Sequence, residues 1–381
     1  MQWVFWGSLI LVVYTYIGYA ALLALVSTVK SRWFRREVVV EGGSFQPSVS
    51  VVMVVHNEES RIKVRLENLL QSDYGMLQEV LVICDRCDDD TARLAEEAGS
   101  CVKSVDLLEG KKGKAAGVNQ GVLMASGEIV VLVDVRQRFA EDTISHLVAA
   151  FVDEEVGAVS GSLEIESSNQ VAGEGLDVYW ELEKFIRRKE AEIASSIGCT
   201  GAVYALRRKV YQPIAEDTIL DDVVIPMKIA LAGKRVLFDA EAKAYDPQSL
   251  DRASEQRRKV RTLAGNWQML FRHLGWLLPW RNPLLWQLVS HKYLRLLGPV
   301  FLLVALLCNL MLFDDGWFYW ITFLWQVLCY SLGIAGMFEL SFLWKPLKVL
   351  AKISSGFLFL QILCVLAFFR WMKGRSRVGG W

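Results

Sequence analysis

The sequence predicts an α/β fold: a mostly parallel sheet with helices on both faces, set between membrane-spanning helices. Through the middle of the chain, short continuous apolar runs that end in polar residues alternate with helical segments, the pattern of a buried parallel sheet. Hydrophobic residues make up 53% of the chain and include 14 tryptophans. They gather at the two ends, a shift that marks membrane segments around a soluble middle. The 381 residues allow one large domain plus such segments. Lysine plus arginine equals aspartate plus glutamate at 42 each, so no global field points to nucleic acid.

Residues 4–29 are apolar and uncharged, long enough to cross a bilayer, and Lys30, Arg32, Arg35 and Arg36 follow at once. The run is too long for a signal-peptide core and no basic residue precedes it. Residues 1–29 therefore read as an uncleaved anchor, with the basic linker 30–46 on the cytoplasmic side. In the domain that follows, over 47–262, residues 48–56, 79–83, 101–105 and 129–133 read as strands. Helices lie between them, up to about Leu70 and over 91–98 and 114–125. The strand at 129–133 is central, because its unbroken apolar run opens onto Asp134, Arg136 and Gln137. Ligands of open α/β sheets sit outside the carboxyl ends of the strands. Three such ends carry His56-Asn57-Glu58, Asp85 and Asp134, a convergence that favours a nucleotide-type site. Asp134 and Arg136 could hold an anionic ligand, with or without a metal; a strand followed by a solvated turn explains that stretch alone equally well.

The turn at 110–114, rich in glycine and lysine, leads into a helix carrying Asn119. It suits phosphate binding but lacks P-loop spacing, and reads equally as a solvated loop. Residues 158–164 form a strand and 179–193 an amphipathic helix. Gly198-Cys199-Thr200-Gly201 is a small-residue loop that lets backbone approach a ligand, or else a simple turn. Asp221 and Asp222 open a helix over 223–231; taken alone, they satisfy its dipole. In the cluster Arg252, Arg257, Arg258, Lys259 and Arg261, Arg258 and Arg261 share a helix face. That face is either solvated or headgroup-facing, or a clamp on diphosphate.

Residues 263–293, mixing Trp, Leu, Arg, His and Pro, read as one or two interfacial helices. Three spans follow near 294–313, 317–340 and 350–369, within 294–373, and the tail 374–381 is basic. One anchor plus three spans would put the tail outside, whereas Arg370, Lys373, Arg375 and Arg377 argue for inside. Either one C-terminal segment fails to cross or the tail breaks the charge rule. Cys84 and Cys87 form a C-x-x-C with no second pair, so reduced thiols are the reading rather than a zinc or redox site.

Together, the order and spacing of these motifs resemble the membrane-embedded family 2 glycosyltransferases, which include cellulose, chitin and hyaluronan synthases and bacterial exopolysaccharide enzymes. The resemblance covers nearly the whole chain. It implies a GT-A-like sheet and an inverting transfer from a nucleotide sugar, UDP-linked, by a domain on the cytoplasmic face of the inner (plasma) membrane. It implies nucleotide-sugar contacts from His56, Asn57 and Glu58, and from Asp85, at the head of residues 85–91, to uracil or ribose. Lys114 and Asn119, Asp134 and Arg136, and Arg258 and Arg261 complete that set. Cys199, Thr200 and Gly201 resemble the acceptor loop, joined by Asp221, and Asp222 takes the place of the catalytic base. Distance to Gly233 fixes this register; Glu216-Asp217 lies too far upstream.

Three departures qualify the resemblance. Arg136 stands where the Asp-x-Asp motif has its second acid, so the Mg²⁺ or Mn²⁺ implied at Asp134 would have one carboxylate. Metal dependence is open, and Arg136 could instead neutralise the diphosphate itself. Thr262 replaces the tryptophan of processive synthases, and Asp221 shortens a glutamate. The implied partners are a nucleotide sugar, a lipid-linked or glycan acceptor and membrane lipids, with a homodimer where the spans line a channel. Three other readings compete: a processive synthase that exports its polymer, a polyprenyl-phosphate sugar transferase, and a non-catalytic nucleotide-binding membrane sensor.

Overall fold

The computed structural model describes residues 1–33, 45–166, 174–247, 252–338 and 345–374. Eight strands form one sheet: β1 (Val49–Val55), β2 (Leu77–Cys84), β3 (Val102–Asp106), β4 (Ile129–Val133), β5 (Arg138–Phe139), β6 (Val156–Glu166), β7 (Val203–Arg207) and β8 (Arg235–Pro247). Their order is β3-β2-β1-β4-β7-β6-β8-β5. The first four run parallel. β7 pairs antiparallel with β4 and with β6, and β8 runs parallel to β6. Every residue of β1 and β4 is buried, because helices cover both faces and leave no polar side to alternate with.

The helices are α1 (Gln2–Val13), α2 (Tyr19–Trp33), α3 (Ile62–Leu70), α4 (Thr91–Glu96), α5 (Lys114–Met124), α6 (Thr143–Ala149), α7 (Glu174–Ile193), α8 (Asp221–Leu231), α9 (Arg252–Arg272), α10 (Leu285–Leu288), α11 (Leu294–Met311), α12 (Trp317–Met337) and α13 (Lys345–Lys373). Among the described residues, four segments are long and apolar enough to cross a membrane: Gln2–Lys30, Leu285–Met311, Trp317–Met337 and Leu347–Lys373.

The sequence reading missed β8 and β5. In β8, charged residues separate the small buried Ala242 and Ala244, so the strand lacks an apolar run, and β5 has only two residues. The interfacial segment also differs from expectation. Residues 263–272 continue α9 from the basic cluster without a break, and 285–293 lead through a π-helical turn into α11. The irregular backbone is confined to the stretch between them, around the 3-10 turn Leu274–Leu277.

The bundle also bears on the charge conflict. Near the start of the chain, Phe5 packs against Cys308, Leu312 and Tyr319, where α11 ends and α12 begins. At the other end of the bundle, Lys30 bonds the Ile193 carbonyl of the sheet domain. The last turns of α13 lie at this second end as well. Trp267 of α9 meets Phe368 edge-on at 5.0 Å, and Phe271 stacks on Trp371 at 4.7 Å and 4°. The Cys364 thiol reaches the Arg295 carbonyl at the start of α11, at 3.7 Å. Arg370 and Lys373 therefore end the bundle on the side of the sheet domain, opposite the start of α1. Arg35, Arg36, Arg375 and Arg377 lie outside the described residues.

Candidate active site

The carboxyl ends of β1, β2 and β4 meet the first turns of α5 and α8. At the first two ends the chain leaves the sheet through unusual backbone. Asn57 and Arg86 are the non-glycine residues with positive φ among the described residues, 52° each, a region costly for L-residues and typical of functional turns. The Asn57 side-chain Oδ1 accepts from the Asp88 N–H at 2.8 Å. His56 Nδ1 lies 2.7 Å from the Asp85 carbonyl oxygen, tying the two ends together. Glu58 pairs with Arg61 at 2.8 Å, while its N–H donates to Thr91 Oγ1.

Asp85 is fully buried. Its carboxylate accepts from Arg86 Nε at 2.9 Å and from the Gly113 N–H at 2.8 Å. Gly113 caps α5 at φ 85°, a conformation that favours glycine, and it delivers Lys114 as the first helical residue. The Lys114 ammonium stands 2.7 Å from Asp134 Oδ1 and 3.6 Å from Asp221 Oδ2. Burial works against its charge, but Asp134, Asp221 and Asp222 together hold its pKa above the ordinary lysine value. Asp222 follows in the first turn of α8. Burial and then the neighbouring Asp221 push its pKa up to about 6, against the pull of Lys114, Arg187 and Lys292.

The small-residue loop closes the far side. The Cys199 N–H donates to the Asp222 carbonyl at 2.8 Å. A Cβ on Gly201 would stand 3.2 Å from Asp222 Oδ2, so only a glycine lets the loop lie against that carboxylate unhindered. Asp134, Asp221 and Asp222 thus gather around Lys114, with the loop against Asp222 and the Gly113–Asp85 bond one residue away. The Glu216-Asp217 pair faces elsewhere: Asp217 forms a two-point pair with Arg272 at 2.8 and 2.6 Å, and Glu216 pairs with Lys111.

Several sequence assignments acquire different roles. Asn119 makes three bonds to the 208–219 segment: its amide oxygen accepts from Tyr211 Oη at 2.6 Å and the Ile214 N–H at 2.9 Å, and its amide nitrogen donates to the Ile214 carbonyl at 2.8 Å. It fastens a loop rather than facing the cleft. Cys199 is buried, and burial raises its thiol pKa, so it offers backbone alone. Arg136 points away from Asp134 to the buried Asp246, with Nε 2.7 Å from Oδ1. The same carboxylate accepts from Gln137 at 3.2 Å and lies 3.8 Å from Arg258. Arg261, by contrast, is exposed one turn beyond Arg258 on α9.

For a divalent ion the donor set is thin. Among the described residues no group of three His, Cys, Asp or Glu side chains comes together, and Lys114 already faces Asp134. These side chains do not make a metal site by themselves.

Two further residues support the cleft. Arg65 of α3 is buried and donates to the Asp134 carbonyl at 3.2 Å, with its guanidinium 4.3 Å over the Phe139 ring. Burial lowers its pKa to about 9 despite Asp134. Its signal in the sequence was an arginine on the apolar face of Ile62, Leu66 and Leu69. Asp246, the second, could be found only once β8 was known.

The parallel half-sheet, the acids at its rim and the appended antiparallel strands define the class of fold, GT-A-like. Residues 50–214 match the family model described as Glycosyl transferase family 2, and the chain carries that domain. The poly-beta-1,6-N-acetyl-D-glucosamine synthase of Staphylococcus epidermidis (strain ATCC 35984) is 25% identical over 308 residues, 79% of this chain and 69% of that protein. The synthase of the same name from Staphylococcus aureus (strain COL) is 27% identical over 237 residues; the match spans 59% of this chain and 56% of that protein. Among solved structures, the mannosyltransferase PcManGT from Pyrobaculum calidifontis, in complex with GDP-Man and Mn²⁺, superposes with a TM-score of 0.70 at 20% identity. It covers 98% of this chain and 100% of that one, a likeness of fold.

Proposed function

We propose that this glycosyltransferase moves a sugar from a nucleotide sugar, UDP-linked, to a glycan or lipid-linked acceptor in exopolysaccharide synthesis. It does so at the inner membrane with its sheet domain, 47–262, on the cytoplasmic side. The observation that carries the proposal is the cluster in which Lys114 joins Asp134 to Asp221, beside Asp222 and one residue from the Gly113–Asp85 bond.

The transfer inverts the anomeric carbon in one displacement. Asp222, with its pKa raised to about 6, is ionised at neutral pH yet basic enough to take the acceptor hydroxyl proton. The freed oxygen forms the new bond as the bond to the diphosphate breaks. His56, Asn57, Glu58 and Asp85 hold the base and ribose. Charge developing on the leaving diphosphate meets fixed cations from Lys114, Arg136 and Arg258, the last two held by Asp246 and Glu255. Arg261 lies a turn beyond on the same helix.

Names of the staphylococcal relatives make N-acetylglucosamine the first donor sugar to try. The test is UDP release from a panel of nucleotide sugars by the purified full chain in lipid, with and without Mn²⁺, followed by sizing of the glycan. Release with a UDP-sugar is expected. No release from any donor, with nucleotide still bound, would overturn the proposal in favour of a non-catalytic sensor.

A further inference from the structure

The chemistry above leaves unused a buried polar cluster along one face of α7. Glu183, Arg187 and Glu190 succeed one another there, and both carboxylates are buried, Glu190 completely. Glu183 receives His291 Nε2 at 2.9 Å, Lys292 at 3.1 Å and Arg295 at 3.1 Å, and Arg187 lies 3.7 Å away. Burial opposes its charge, but His291, Lys292 and Arg295 hold its pKa well below the carboxylate range. Glu190 accepts from Tyr19 Oη at 2.6 Å and faces His291 Nδ1 at 2.9 Å. Tyr19 opens α2, and 291–295 lead into α11, so two apolar helices are fastened to α7 by charged hydrogen bonds. Removing one member of such a buried set strands its partners.

Arg187 sits between the two glutamates and turns its other end to the cleft. Its Nη1 donates to Thr200 Oγ1 at 2.8 Å. That hydroxyl in turn donates to the Gly161 carbonyl at 2.9 Å, and the Thr200 N–H to Ser160 Oγ at 2.9 Å. The next residue is Gly201, against Asp222.

We propose that Arg187 is a positioning residue for the transfer: anchored by Glu183 to the start of α11, it fixes Thr200 and with it the loop against which the acceptor hydroxyl meets Asp222. This rests on Asp222 being the base and 199–201 the acceptor loop. Groups facing Asp222 are Asp221 on α8, Lys114 on α5, Arg187 on α7, Lys292 before α11, Tyr204 on β7 and Cys199 in the loop. Arg187 is thus one of three cations there that favour the ionised base.

The experiment measures kcat/KM against pH and the acceptor KM for the full chain in lipid, with whichever UDP- or GDP-sugar gives the fastest wild-type nucleotide release. In Arg187→Gln the acid limb should move up by about half a pH unit or more, and the acceptor KM should rise severalfold. Arg187→Lys should return the limb to its wild-type place without restoring the acceptor KM, since a lysine lacks the fork that spans Glu183 and Thr200. Thr200→Val should raise the acceptor KM and leave the limb where it was. A merely structural role would lower kcat at every pH and shift nothing. An unmoved limb in Arg187→Gln, or an unchanged acceptor KM in Thr200→Val, overturns the proposal; if Arg187→Gln does not fold, unchanged acceptor KM in the other two variants does so. Absence of nucleotide release by the wild type, or full activity in Asp222→Asn, would instead count against the glycosyl-transfer reading.

Discussion

The Lys114 ammonium lies 2.7 Å from the Asp134 carboxylate, joining the first turn of α5 to the end of β4. Asp221 stands 3.6 Å away on the same cation. One lysine therefore offsets repulsion among acids contributed by two distant parts of the chain.

Replacing that cation should be costly. Lys114→Met is expected to lower stability by about 2 kcal/mol, less than for a fully enclosed pair because Asp134 is partly solvated. A lysine whose pKa is raised in the folded state above its ordinary 10.5 contributes stability throughout the range below 10.5 and loses it only as pH rises through the folded value. The deficit should thus stay flat between pH 6 and about pH 9. Thermal unfolding in detergent across that range checks it; a deficit that vanished at pH 8 would contradict the pairing.

Asp222→Asn should abolish transfer, about a hundredfold or more, and leave UDP affinity within about twofold. In the wild type, kcat/KM should fall about tenfold per unit below about pH 6, where the base becomes protonated. The raised pKa also predicts a gain in stability. Folding opposes ionisation of this carboxyl, so its penalty is absent below the ordinary 3.8, grows through the window from 3.8 to about 6, and is complete at pH 7. The asparagine variant should then be more stable at pH 7 by roughly 1–3 kcal/mol. A melting temperature equal to wild type at pH 7, or wild-type turnover, would remove Asp222 from this role.

Gly201→Ala places a methyl 3.2 Å from Asp222 Oδ2. The carboxylate or the loop must give by a few tenths of an ångström, and misplacement on that scale is expected to lower kcat/KM about tenfold with little change in melting temperature. Steady-state kinetics beside a thermal melt separates the two effects.

Arg136→Asp would restore a second acid two residues beyond Asp134 while removing the partner of Asp246. UDP binding by this variant should become far more dependent on Mn²⁺ than in the wild type, read by calorimetry with Mn²⁺ and with chelator. Equal Mn²⁺ dependence in both proteins would show that position 136 does not set the charge balance at the diphosphate.

In the parallel half β1, β2 and β4 were legible from their largely apolar runs, and the expected strand at 129–133 coincides with β4, Ile129–Val133, whereas β3 carries Lys103 and Ser104. The antiparallel half was less legible. Its longest strand, β8, carries charges between small buried residues, so period and composition both mislead. Asp85, Asp134 and Asp222 were named through the family resemblance; read alone, Asp221 and Asp222 only satisfied a helix dipole. Their common neighbour Lys114 was also named, though not its place as the bridge. Asp246, Arg65 and Arg187 escaped notice because each acts through a tertiary contact, and such pairings between remote segments leave no local pattern.

The helix α9 carries one more consequence. Arg258 near its start reaches Asp246, and Trp267, nine residues on, meets α13. The separation along an unbroken helix is roughly 14 Å, and a rigid rod of that length admits little adjustment. The height of the Arg258–Asp246 contact over the aromatic seam is accordingly set as by a ruler.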